Sequence, residues 1–325
     1  MVLEKVKDSE QAREGAKGNS ILRQWGAFVL VGLVLYLCLY VWSEHLVESY
    51  GEKNRFFMIN SMPSQHFDVV VLGASHAMPL DFEDMNERLE AASGAKIMNL
   101  STEGAGILPN RLLLDYFLKR HSASHVMMVV DSFAFYSPQW NEERLDDASL
   151  RRAPFDPALI RTLWSYPWAR RLLPVYVSGF GKINNPDRFA PDIPDAERDF
   201  TRTYRPIAQI DRRRVQYLYP ENPDPGILAH YGEEFRDLAR LVRQHGMELV
   251  TVELPTPERY RELLPYEADF EQFLQPLLQE EGIEHYDLSE TLPEDDYYYD
   301  TDHLNRDGAL KVIDEHLAEL ISAIR

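Results

Sequence analysis

Hydrophobic residues follow three regimes along the chain. Between Trp25 and Trp42 the sequence reads WGAFVLVGLVLYLCLYVW without a charged side chain. About 18 helical residues cover roughly 27 Å, enough to cross the hydrocarbon layer of a bilayer. Beyond residue 65, short apolar runs alternate with stretches whose apolar positions recur every three or four residues. The runs at 67–73 (FDVVVLG), 95–101 (AKIMNLS), 125–131 (HVMMVVD), 247–254 (MELVTVEL) and 284–289 (EHYDLS) read as buried strands. Helical periodicity covers roughly 81–92, 107–120, 232–245, 268–281 and 307–324. This alternation predicts an α/β fold with a doubly wound, mostly parallel five-stranded sheet and helices on both faces. Ligands of such sheets bind beyond the carboxyl ends of the strands. In the third regime, about 137–226, prolines and aromatics (Trp140, Trp164, Tyr166, Trp168, Tyr176) replace the pattern, which reads as an insertion after the third strand. The organisation expected is a tail at 1–24, a membrane helix at 25–42, a juxtamembrane linker at 43–64 and a folded domain at 65–325.

Flanking residues orient the apolar run. Tryptophans bracket it, as headgroup-layer anchors do. Lys5, Lys7, Arg13, Lys17 and Arg23 precede it, and only Lys53 and Arg55 follow closely. The positive-inside rule then keeps the N-terminus cytoplasmic, with a single pass through the cytoplasmic membrane and the rest of the chain periplasmic or extracellular. The alternative is a cleaved signal peptide, but the run is long for that, and SEHLVESYGEK after it has no small-residue cleavage site.

Charge and composition narrow the function classes. Thirty-four basic against 53 acidic side chains give 34 − 53 = −19, which disfavours a nucleic-acid partner. The single cysteine, Cys38, lies inside the apolar run and rules out intramolecular disulfides and thiolate-built metal sites. With no zinc-protease spacing and no Gly-rich phosphate cradle, no metal or nucleotide cofactor is expected. Arg151, Arg152, Arg161, Arg170, Arg171 and the run Arg212, Arg213, Arg214 make the insertion locally basic. That suits anionic headgroups, an anionic polymer or a protein partner. The alternative is a solvated surface of arginines paired with aspartates.

Candidate chemistry sits at two places that the topology brings to one sheet edge. After the first strand come Gly73-Ala74-Ser75-His76, with Ser75 where a nucleophile would stand and a helix N-terminus near any oxyanion; helix capping is the alternative role. Before the last helix lie Asp300-Thr301-Asp302-His303. Serine needs a base to take its proton, and imidazole needs a carboxylate on its other nitrogen, which Asp300 can supply to His303. Asp302 is expected to point away and cap the final helix. The alternative is a solvated acidic turn from Glu294 to Asp302. Asp131 at the third strand end, His76 beside the serine and Glu253 at the fourth strand end are possible pocket lining.

These residues resemble the SGNH, or GDSL-like, hydrolase superfamily over about 65–325. The resemblance implies Ser75 as nucleophile, His303 as base and Asp300 as its orienting carboxylate. It also implies an oxyanion hole from the backbone N–H groups of Ser75 and Gly104, the latter in Asn99-Leu100-Ser101-Thr102-Glu103-Gly104. Ala74 replaces the usual aspartate before the serine. The family's Gly-x-Asn-Asp block is absent after the third strand, where Val130-Asp131-Ser132-Phe133 stands. With the membrane run, the chain resembles a divergent branch that includes the D-alanyl transfer protein and alginate O-acetyltransferase accessory proteins. That resemblance implies serine-dependent O-acyl transfer on an envelope polysaccharide beside a membrane-bound O-acyltransferase. An esterase or deacetylase, and a silent glycan-binding or scaffold module, are the alternatives.

Overall fold

The structure, a computed structural model, describes residues 2–325, with side-chain environments from Leu22 onward. Five strands form one sheet: β1 (His66–Leu72), β2 (Ile97–Asn99), β3 (Ser122–Val129), β4 (Glu248–Glu253) and β5 (Glu284–Asp287). They lie in the order β2-β1-β3-β4-β5, every pair parallel. The expected doubly wound α/β fold is therefore present. Consecutive strand residues go to opposite layers: Val70, Leu72, Val126 and Met128 pack into one, Val69, Val71, Met127 and Val129 into the other. The first layer is covered by helices Ile107–Phe117, Ile227–Gln244 and Glu267–Glu281. Helix Met85–Ser93 and the C-terminal helical stretch from Arg306 to Ile324 cover the second. Strands apolar on both faces, rather than alternating, follow from this double coverage.

Two boundaries move. β3 begins earlier than its apolar run because its polar start pairs with β1, His66 meeting Ser122 and Ser124 hydroxyls at 2.9 and 3.0 Å. The helix expected at 81–92 is preceded by a 3-10 turn, Ser75–Asp81, containing Pro79, and the α-helix proper starts at Met85. Pro79 has no N–H to donate to a longer helix.

The N-terminal helix, Val2–Tyr50, continues past Trp42. Its stretch Leu22–Tyr50 is long and apolar enough to cross a membrane. Leu33, Val34, Leu35 and Leu37 are exposed, so this is no core helix of the folded part. Tyr36, Tyr40, Ser43, Val47 and Tyr50 form the partly covered stripe, recurring every three to four residues. A short helix, Arg55–Ser61, follows at once, with Asn54 accepting from Phe57 N at 3.2 Å. The segment 43–64, expected as a linker, carries helix at 43–50 and at 55–61.

The insertion is built of short helices, among them Pro157–Ser165, Leu173–Ser178, Phe180–Ile183 and Ala208–Leu218. Trp140 Nε1 donates to Leu218 O at 2.8 Å, bringing its last helix back over the sheet edge.

Candidate active site

In the order 2-1-3-4-5 the chain reverses direction of winding between β1 and β3, and a crevice opens beyond the strand ends there. Ser75 and His76 follow β1, and Asp131 follows β3. Gly73 makes the exit from β1 with φ +153°, where a Cβ would stand 2.9 Å from Val129. Asn110 accepts from Gly73 N at 3.0 Å and donates to Ala105 and Gly106 carbonyls, fixing that turn against the loop holding Gly104. Gly104 has φ +62°, and a Cβ on it would meet the Trp140 ring at 2.8 Å. Only glycine suits both demands.

From the other end of the chain, the loop before the last helix turns inward. Asn305 caps that helix, accepting from Gly308 N at 3.0 Å. This corrects the expectation that Asp302 would be the cap. Asp302 has a fully buried side chain, accepts from Arg214 Nε at 3.0 Å, and lies 3.2 Å from His76 Nε2. The acidic turn is thus partly interior. Asp300 receives His303 Nδ1 at 2.9 Å on both carboxylate oxygens and also accepts the His303 N–H at 2.9 Å. The Tyr299 ring stacks on His303, centroids 5.6 Å apart and 10° from parallel. An i, i+3 pair whose backbone and side chain share one acceptor has little rotational freedom.

His303 Nε2 faces Arg214 Nη2 at 3.4 Å. Carboxylate oxygens at Nδ1 and a guanidinium donor at Nε2 fit one neutral tautomer, protonated on Nδ1 with the lone pair on Nε2. That is the form a general base needs. Ser75, immediately before this ring's neighbour His76, is buried but is not among the hydrogen-bond partners of His303. The sequence reading had placed Ser75 Oγ within reach of Nε2; here the position opposite Nε2 is held by Arg214.

His76 is not an exposed follower of the serine. Its Nδ1 is 2.5 Å from Asp131 and its ring centroid is 5.0 Å from that of His303. Burial disfavours its charge, but Asp131 and Asp302 outweigh burial and push the imidazole up to about 10. His76 is therefore a cation at neutral pH, bridging Asp131, which follows β3, and Asp302 in the loop before the last helix. Burial would raise Asp302, yet His303, Arg214 and His76 together hold it well below the usual carboxylate range. Asp300 is held low in the same way, against burial, by His303.

His76, Asp302 and His303 offer donor atoms within 4.8 Å of one another, the spacing of a cation site. Arg214 already neutralises Asp302 and His76 carries its own proton, so this donor set is occupied by ion pairing, and a cation would have to displace both. Glu253 lies 3.4 Å from His285 and lines, with His76, Asp131, Tyr219, Tyr260 and Glu267, a cavity of about 220 Å³ beside the cluster. Glu267 accepts from Ser132 and, at 3.2 Å, from Tyr219, while burial raises its carboxyl.

The sequence reading missed two residues here. Arg214 was visible only as one of three arginines in a basic run; its helix, Ala208–Leu218, turns it inward while Arg212 and Arg213 stay exposed. Tyr299 belonged to a tyrosine run read as part of a turn.

No protein-family model matches the chain, and no curated protein matches it. Among solved structures, the chain is similar to a protein of Bacteroides fragilis NCTC 9343 provisionally named an acylhydrolase. The identity is 9% and the TM-score 0.37, covering 82% of this chain and 94% of that one.

Proposed function

We infer that the chain is a membrane-anchored, serine-dependent O-acyl transfer enzyme of the cell envelope, working through an acyl-Ser75 intermediate. The observation that carries this reading is His303, locked by Asp300 in the base tautomer at the sheet edge where β1 delivers Ser75. In the first half-reaction Ser75 Oγ attacks an acyl ester or thioester carbonyl, and His303 Nε2 takes the hydroxyl proton. The resulting imidazolium is stabilised by Asp300 and the buried Asp302. The negative oxygen is received by the N–H groups of Ser75 and Gly104, and collapse expels the leaving group with the proton from His303. In the second half a glycan hydroxyl repeats these steps in reverse, restoring Ser75 and forming the product ester.

Supporting features are the apolar helix, which suits a single-pass anchor with the N-terminus cytoplasmic, and the resemblance noted above. That resemblance makes a membrane-bound O-acyltransferase the expected acyl donor and an envelope polysaccharide the acceptor.

One observation favours a second reading, a silent glycan-binding or scaffold module: Arg214, not Ser75, stands at His303 Nε2. A fluorophosphonate probe on the full-length protein in detergent separates the two. Covalent labelling of Ser75, read by mass spectrometry and absent in His303→Ala, supports the enzyme. An unlabelled Ser75 in folded protein supports the silent module.

A further inference from the structure

The turn between helices Leu173–Ser178 and Phe180–Ile183 is bonded to the N-terminal helix at a telling height. Tyr36 Oη donates to Ser178 O at 2.9 Å. The Tyr40 ring lies so close against Gly179 that a Cβ there would fall 2.0 Å from it. Phe155 packs edge-on to Tyr40, and Phe189 against Trp42 at 5.8 Å between centroids. Two residues beyond Trp42, Glu44 is neutralised by the buried Lys182 and accepts from Phe155 N at 3.0 Å. Tyr36 and Tyr40 belong to the uncharged run that begins at Trp25.

If the turn stayed in water, Tyr36 and everything after it would stay in water too. Residues 25–35 would then have to span alone, and 11 residues make roughly 17 Å, little more than half the ~30 Å of hydrocarbon. With the boundary at Trp42, Tyr36 lies roughly 9 Å below it, the depth at which surface-bound apolar segments sit. The turn's own surface agrees: Val177 and Phe180 are exposed, Phe180 at 58%, as is Phe189. From Pro157 to Pro186 the chain has no carboxylate but has Arg161, Arg170, Arg171 and Lys182, on a protein of net charge −19. None of these three exposed arginines is in an ion pair among the described residues; Arg170 donates to Trp164 O and Arg171 to the carbonyls of Glu142 and Leu145, and the charge of all three is left uncompensated by a carboxylate and suits phosphate headgroups.

Resting on the reading of 25–42 as a membrane span, the geometry points to a second, non-spanning membrane contact. The turn 177–180 enters the leaflet on the folded domain's side, flanked by Phe189, and its occupant is the lipid of that leaflet. The test uses the full-length protein with Cys38→Ala, reconstituted in phosphatidylcholine–phosphatidylglycerol vesicles. Single cysteines at Val177→Cys, Phe180→Cys, Leu33→Cys and Glu258→Cys carry an environment-sensitive dye. The expected result is blue-shifted emission at 177 and 180 that nitroxide on the upper acyl chain quenches. The label at 33 should be quenched by deep nitroxide and that at 258 by neither. Water-like emission at 180 with quenching at 33 overturns the proposal and leaves the span intact. Blue-shifted but unquenched emission at 180 also overturns it, since protein then covers the turn. Loss of quenching at 33 as well removes the span on which the proposal stands.

Discussion

Arg214 Nη2 stands 3.4 Å from His303 Nε2, across 89 residues of sequence, while the same guanidinium's Nε donates to Asp302 at 3.0 Å. The insertion thus reaches the carboxyl edge of the sheet and touches the atom that the proposed base chemistry would use. For Ser75 to deliver a proton to Nε2, the guanidinium must share or leave that position. Under the proposed function, a residue from the insertion would set when the base is available.

Arg214→Ala should destabilise the protein by about 3–5 kcal/mol, because it removes one partner of a fully buried carboxylate. Adding Asp302→Asn should recover part of that loss, so the double variant is less destabilised than the sum of the singles. Urea unfolding of the four detergent-solubilised proteins checks the cycle; strict additivity would show that the pair is not coupled.

Ser75→Ala and His303→Ala should each lower hydrolysis of a small activated ester by about a thousandfold or more, and the double variant should be no worse than either. If transfer is the function, wild-type hydrolysis should itself be weak. Rapid turnover by the wild type without any partner would favour an esterase instead.

Gly104→Ala should cost about 1–3 kcal/mol, from the positive φ and the collision with Trp140. It should also slow fluorophosphonate labelling of Ser75 if the Gly104 N–H serves the oxyanion. Thermal unfolding measures the first effect and labelling kinetics the second.

His76 gives a pH dependence with a definite sign. Its folded pKa, about 10, is raised above the ordinary value of 6.5. The stability it contributes is fully present below pH 6.5 and is lost as pH rises through 10. The gap in unfolding free energy between wild type and His76→Gln should therefore be largest near pH 6 and shrink toward pH 10. A gap that widens with pH would mean that His76 is neutral in the folded protein.

The inner strands were legible in the sequence because both sheet faces are covered, so β1, β3 and β4 read as largely apolar runs, unlike the exposed edge strand β5; β3's polar start was not legible, since Ser122 and Ser124 are chosen by His66 across the sheet. Asp300 and His303 could be read because their contact is local, three residues within one turn. The ion pairs linking His76 to Asp131 and Arg214 to Asp302 join residues 55 and 88 apart, and nothing in spacing announces them. The same is true of Asp302: a helix cap and a buried counter-ion look alike until Asn305 is seen to do the capping.

The stripe Tyr36, Tyr40, Ser43, Val47 and Tyr50 has a consequence for how substrates are met. On the proposed reading of 25–42 as a membrane span, a helix held to the folded part along this edge leaves little slack: the protein would diffuse in two dimensions but not rise or tilt far from the bilayer. Under the proposed function Ser75 would then work at one altitude. Polymer strands passing above that height would stay untouched, and modification would fall most heavily on chains still close to the membrane.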